Sequence, residues 1–156
     1  MRSTKQLLVV CLLVVAGVVV KAQADAHIGT WKMNPAKSKM PQDQAVKSQT
    51  RTYVAYGDGL KATIASVNAD GSKTTRSYSA HFDGKETPYT GAKMYDTIAL
   101  KKIDANTMEA TLKKSGKVVE TARNAVSKDG KVMTITSNGT DAGGKKYTTV
   151  TVLDKQ

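Results

Sequence analysis

Cysteine is nearly missing from this chain: Cys11 is the only one in 156 residues, and it lies inside an apolar run at 7–20. Val10 before it is not the small residue a lipid-modified cysteine would follow. Removing that run leaves no thiol, which excludes disulfides, thiolate nucleophiles and cysteine metal sites. Histidine is scarce as well, with only His27 and His81. Zinc takes three or four Cys, His or carboxylate ligands, and two isolated histidines do not supply them. A nucleophile needs a base beside it; His27 is close to the expected mature start, and His81 has the parity of the polar face. Acids are outnumbered, 13 Asp+Glu against 24 Lys+Arg. Six of them (Asp58, Asp70, Asp83, Asp104, Asp129 and Asp141) fall in turns, where a backbone role accounts for them. Glu109 and Glu120 lie on neighbouring strands and read as solvated partners of lysines, not as an acid–base pair. No catalytic residue, metal or cofactor is expected, and the chain reads as a non-enzyme.

What is present begins with an export signal. Arg2 and Lys5 precede the apolar run, Lys21 ends it, and Ala22-Gln23-Ala24 offers small residues for cleavage. The run is shorter than the roughly 20 residues that span a bilayer. The expected cut follows Ala24, with Ala26 as the alternative, so that 1–24 is the signal and 25–156 one domain. That domain would be periplasmic or secreted and not membrane-spanning. The formal charge of +11 loses three cations with the signal and stays positive. The remaining lysines are dispersed, so a solvated surface accounts for them better than a patch for anionic polymers.

After the signal no helical period survives. Short Thr/Val/Tyr-rich runs alternate with Gly57-Asp58-Gly59, Asp83-Gly84, Ser115-Gly116, Asp129-Gly130 and similar pairs, which tolerate the positive φ of tight hairpins. The pattern predicts strands at 28–33, 48–56, 60–67, 73–82, 95–103, 107–114, 117–127, 131–138 and 146–154, with a weak one near 86–90. Leu60, Ala62 and Ile64 share a parity, as do Tyr78, Ala80 and Phe82, Met108, Ala110 and Leu112, and Met133 with Ile135. The opposite parity is largely Thr, Lys, Ser and Glu, as in antiparallel sheets with one wet face. The fold class is therefore all-β, an up-and-down meander of nine or ten strands. Closure into a barrel removes the open edges; a two-sheet sandwich is the alternative. The segment 34–47, with Pro35 and Pro41, reads as a loop or one short turn.

The opening Ile28-Gly29-Thr30-Trp31-Lys32-Met33 carries a Gly-x-Trp on the first strand. With the meander behind it, the chain resembles lipocalin-like and fatty-acid-binding barrels. It is also similar to a family of small exported bacterial proteins of lipocalin-like type. That likeness rests on Gly29 to Asn34, Lys37-Ser38-Lys39, Val126 to Lys131, Thr136 to Asp141 and Val152 to Gln156. The resemblance implies a barrel floor at which Gly29 lets the strand bend, Trp31 plugs the bottom and Arg123 stacks on the indole. It lacks the helix pair that follows the first strand in fatty-acid-binding proteins and the helix that follows the last strand in lipocalins.

Arg76 shares the parity of Tyr78, Ala80 and Phe82, so it faces inward, where a buried cation needs an anionic partner. A ligand carboxylate or phosphate would serve; the alternative places Arg76 at the barrel mouth, snorkelling to water. Tyr53, Tyr89, Met94 and Tyr95 are candidates for the same mouth. The ligand-binding set is Tyr53, Ile64, Arg76, Tyr78, Phe82, Tyr95, Leu112 and Met133, with the apolar members burying the ligand. Arg51 with Tyr53, and Arg76 with Tyr78, also resemble the basic–aromatic interleaving of nucleic-acid binders, but inward parity and export argue against that partner. The expected function is binding of a small hydrophobic or amphipathic molecule, with an anionic one suiting Arg76. The alternative is a packed structural barrel that touches envelope polymers or proteins through its basic surface.

Overall fold

The computed structural model describes residues 25–156; the export signal read at 1–24 lies outside the described residues. Ten strands follow: β1 (Gly29–Met33), β2 (Val46–Tyr56), β3 (Gly59–Asn68), β4 (Lys73–His81), β5 (Asp83–Thr90), β6 (Thr97–Lys102), β7 (Thr107–Lys114), β8 (Lys117–Val126), β9 (Val132–Thr140) and β10 (Lys146–Lys155). Each pairs antiparallel with its neighbour in sequence, and β1 closes on β10 through Trp31↔Lys155 and Met33↔Leu153. The result is a closed barrel and not a sandwich. Closure follows from the alternation, because one face of every strand must leave water. In β3, Leu60, Ala62, Ile64 and Ser66 are buried while Lys61, Thr63 and Ala65 are exposed.

Two local readings change. The weak strand near 86–90 is a full strand beginning at Asp83. Asp83-Gly84 is not its hairpin turn: the chain corners at Phe82, and the register between β5 and β6 shifts from Asp83↔Lys101 to Glu86↔Ala99. Gly84 and Lys85 form that irregularity. β4 and β5 register only at Ser77↔Thr90 and Tyr78↔Tyr89, so the two strands splay toward the Phe82 corner.

Beyond Met33 the chain keeps to the β10 edge without being a regular strand. The Asn34 and Lys39 amides donate to the Val152 and Val150 carbonyls at 2.8 and 2.7 Å. Ser38 Oγ accepts from the Val152 amide at 3.0 Å. Pro41 then turns the chain across the barrel end as one 3-10 turn, Gln42–Gln44.

The opposite end is closed. Trp31 is fully buried, and its Nε1 donates to the His27 carbonyl at 2.8 Å. His27 is fully buried as well, with Nδ1 donating to Asp25 at 2.8 Å and Nε2 facing the Asn124 carbonyl at 3.3 Å. Lys102 holds the other Asp25 oxygen. Residues 25–28 thus form part of the floor, which their position near the expected mature start did not reveal. Burial by itself would raise the Asp25 carboxyl, but the hydrogen bonds from His27 and Lys102 outweigh it and hold that group well below 3.8.

The cation over Trp31 is Lys155, with Nζ 5.0 Å from the ring centroid, and not Arg123. Arg123 points outward from β8 and pairs with Glu109 across the β7–β8 ladder at 3.1 Å. Gly29 is constrained at this end of the barrel for two reasons. Its φ is +133°, and a Cβ there would lie 2.9 Å from Lys155 Cε. Any side chain would strain the backbone and displace the lysine that covers the indole.

Candidate binding cavity

The register lines up inward side chains in rungs across β2, β3 and β4. Tyr53, Ala62, Tyr78 and, on β5, Tyr89 form one rung. Arg51, Ile64 and Arg76 form the next toward the open end, then Gln49, Ser66 and Thr74. Adjacent strands lie about 4.8 Å apart, so the two arginine Cα atoms sit about 10 Å apart on one wall.

The tyrosine rung divides the interior. Tyr78 and Tyr89 pack with ring centroids 5.1 Å apart, and Tyr95, from the β5–β6 connection, meets Tyr89 edge-on at 4.8 Å. Burial pushes the Tyr78 and Tyr89 hydroxyls up from 10.0, so both remain protonated donors at neutral pH. Toward the floor the interior is packed solid by Leu60, Leu100, Met108, Met133 and Leu153, each no more than 1% exposed. Toward the mouth lies a cavity of about 570 Å³, roofed by the 40–46 segment and the 91–95 connection. Its volume falls in the range of small-molecule pockets, about 300–1,000 Å³.

Two members of the expected binding set, Arg76 and Tyr95, line this cavity. Ile64, Tyr53, Tyr78, Leu112 and Met133 instead pack within the core. Phe82 lies at the closed end, half-buried, with the Lys102 ammonium 5.4 Å from its ring centroid. The expected apolar contacts are therefore mostly below the cavity. Its walls are more polar: Gln49, Arg51, Ser66, Glu120, Ser137, Tyr147, Thr149 and Thr151, with Met40 and Met94 at the rim.

Arg51 lies outside the expected binding set; its shared parity with Tyr53, read only for nucleic-acid binding, was the signal that could have found it. Its Nε donates to Gln49 at 2.6 Å and Nη1 lies 3.4 Å from the Tyr53 hydroxyl. Arg76 donates from Nη1 to the Tyr95 hydroxyl at 3.0 Å, while its Nε is buried without a partner among the described residues. Guanidinium groups stay charged at any ordinary pH. Among the described residues no carboxylate lies within 4.0 Å of either arginine.

Glu109 and Glu120 are separated by the barrel wall. Glu109 is outside with Arg123. Glu120 lines the cavity and accepts from the Tyr147 hydroxyl at 2.7 Å. His81 is at the surface, paired with Asp58 beside the Tyr56 ring.

No family model matches the sequence, and no curated protein matches it either. Solved structures do match, among them zebrafish ileal bile acid-binding protein in complex with cholic acid. The TM-score is 0.51 at 15% identity, covering 84% of this chain and 99% of that one. What the two share is the closed antiparallel barrel.

Proposed function

We propose that this protein is an exported, non-enzymatic, lipocalin-like barrel that binds one small amphipathic molecule in the open half, with the molecule's acidic group on the Arg51–Arg76 wall. One observation carries the reading. Arg76 Nε is a buried cationic donor without a partner among the described residues, on the wall of a cavity large enough for a ligand. A buried charged donor left unpaired costs several times a lost surface contact, on the order of 1–3 kcal/mol. A carboxylate or phosphate there would accept from that Nε and from the neighbouring Arg51. The apolar part would meet Met40, Met94 and the Tyr95 ring. Cholic acid in the zebrafish complex is a molecule of this general kind, an amphipathic acid.

Displacement of a fluorescent fatty-acid probe tests the proposal, alongside lipid extraction and native mass spectrometry of protein from its own host. Saturable probe binding that falls at least tenfold in Arg76→Met, with the fold intact by circular dichroism, supports it. A protein that carries no small molecule and leaves the probe unchanged sinks it.

A further inference from the structure

Glu120 is the cavity's second pole. It shares the inward side of β8 with Ala122 and Asn124, and it pairs with Leu112 on β7 and Gly139 on β9. In the barrel order, β8 lies five strands from β3 in either direction. The strands flanking β3 are β2 and β4, which carry Arg51 and Arg76. Glu120 thus lines the same cavity from the strand opposite β3 in the barrel order. Among the described residues, no Lys or Arg lies within 4.0 Å of it. Among the described residues no ion pair joins Glu120 to either arginine, and Asp70 and Lys93 also line the cavity.

The local structure holds Glu120 in place. Gly139 faces Tyr147 across the β9–β10 ladder, and a Cβ at that glycine would collide with the tyrosine ring and hydroxyl. The missing side chain lets the Tyr147 ring lie over the strand and reach Glu120 Oε2. Burial, and then the hydrogen bond to Glu120 and its charge, push the Tyr147 hydroxyl well above its ordinary range, so it remains a donor. Tyr147 occupies one oxygen and orients the other, Oε1, which has no hydrogen-bond partner among the described residues.

We infer that the ligand carries, besides its acidic group, a hydrogen-bond donor (an ammonium or a hydroxyl) at its far side, which docks on Glu120. This inference rests on the anionic-head reading above. An acid with a purely apolar tail would press that tail against a carboxylate whose Oε1 has no donor and strip its hydration, an unfavourable burial. A donor at the far side would replace the lost water with a charge-assisted hydrogen bond.

The test is a competition series on the mature protein. It uses a medium-chain fatty acid, its ω-hydroxy and ω-amino derivatives, and an alkylamine of equal length. The ω-substituted acids are expected to bind about tenfold or more tightly than the plain acid, a difference of about 1.4 kcal/mol. The alkylamine should be weaker than either. A preference for the amine over the hydroxyl would identify an ion pair, and equal affinity a neutral donor. Glu120→Gln should erase the advantage of the ω-amino acid and tighten the plain acid, whose tail no longer meets a charge, and Arg76→Met should weaken all three acids. A plain acid that binds wild type as tightly as its ω-derivatives overturns the inference and leaves the anion site standing. If none of the acids binds, the anionic-head reading itself fails. The wild-type series decides the matter even if Glu120→Gln does not fold.

Discussion

The closed and open halves of this barrel use the same strands and the same alternation, yet their interiors are opposite in character. Below the tyrosine rung, Trp31, Leu60, Leu100, Met108, Met133 and Leu153 fill the space, and the buried polar groups His27 and Asn124 lie at the floor. Above it, inward positions of the same strands carry Gln49, Arg51, Ser66, Arg76, Glu120, Ser137 and Thr151 around a cavity. The two halves divide the work. Close packing below supplies stability, at about 25 cal/mol per Å² of apolar surface removed from water. The open half can then hold charged groups that would be intolerable in a fully packed interior. Alternation thus decides which face is inside, but not whether that face meets another side chain or a void.

Substitutions in the two halves should separate accordingly. Trp31→Ala removes the floor plug and should cost about 3–5 kcal/mol, measured by urea unfolding followed by circular dichroism, since Trp31 is the only tryptophan. Leu100→Ala should cost about 2–5 kcal/mol, whereas Ser137→Ala at the cavity wall should stay within about 1 kcal/mol. Equal losses at these two sites would break the division of the barrel into halves. Gly29→Ala forces a side chain into φ +133° against Lys155 and should cost about 1–3 kcal/mol.

The floor also contains a pH-dependent element. Burial opposes ionisation of Asp25, but its hydrogen bonds from His27 and Lys102 depress the folded-state pKa below 3.8. A depressed carboxylate stabilises the fold above its unfolded pKa and loses that contribution as pH falls through the folded value. Stability should therefore decline with acidification below about pH 4. Asp25→Asn should flatten that part of the profile, at a cost on the order of 1–2 kcal/mol at neutral pH. An unchanged acid limb would remove Asp25 from the floor's stability. The smallest effect is expected from Arg76→Met, whose unfolding free energy should move by less than about 1 kcal/mol, or rise, because an unpaired buried donor is lost. A large destabilisation would mean that Arg76 is a structural part of the fold.

Most of the architecture was legible. The turn pairs bracketed nine strands to within a few residues, and parity identified Leu60, Ala62 and Ile64 as interior. The tenth strand was underread because Asp83-Gly84 has hairpin chemistry but forms a register shift. Arg123 was placed over Trp31 by resemblance, although its even-numbered neighbours Ala122 and Asn124 are the inward ones. Glu120 was harder to place, because the ladder slips between Leu112 and Lys113. Parity counted through the Ser115-Gly116 turn does not survive such a slip. His27 gave no sign of burial, since its partners Asn124 and Trp31 are reached only by the chain crossing the floor.

The sequence by itself determined an antiparallel all-β meander and the inward parity of most strands, because alternation and turn chemistry act over a few residues. Only the tertiary structure decided that the sheet closes as a barrel, where that barrel is full and where it is hollow, that Lys155 covers Trp31, and that Arg51, Arg76 and Glu120 line one cavity. Those outcomes depend on which side chains from distant strands meet across the barrel axis. Their combined volume and charge cannot be read from any one strand.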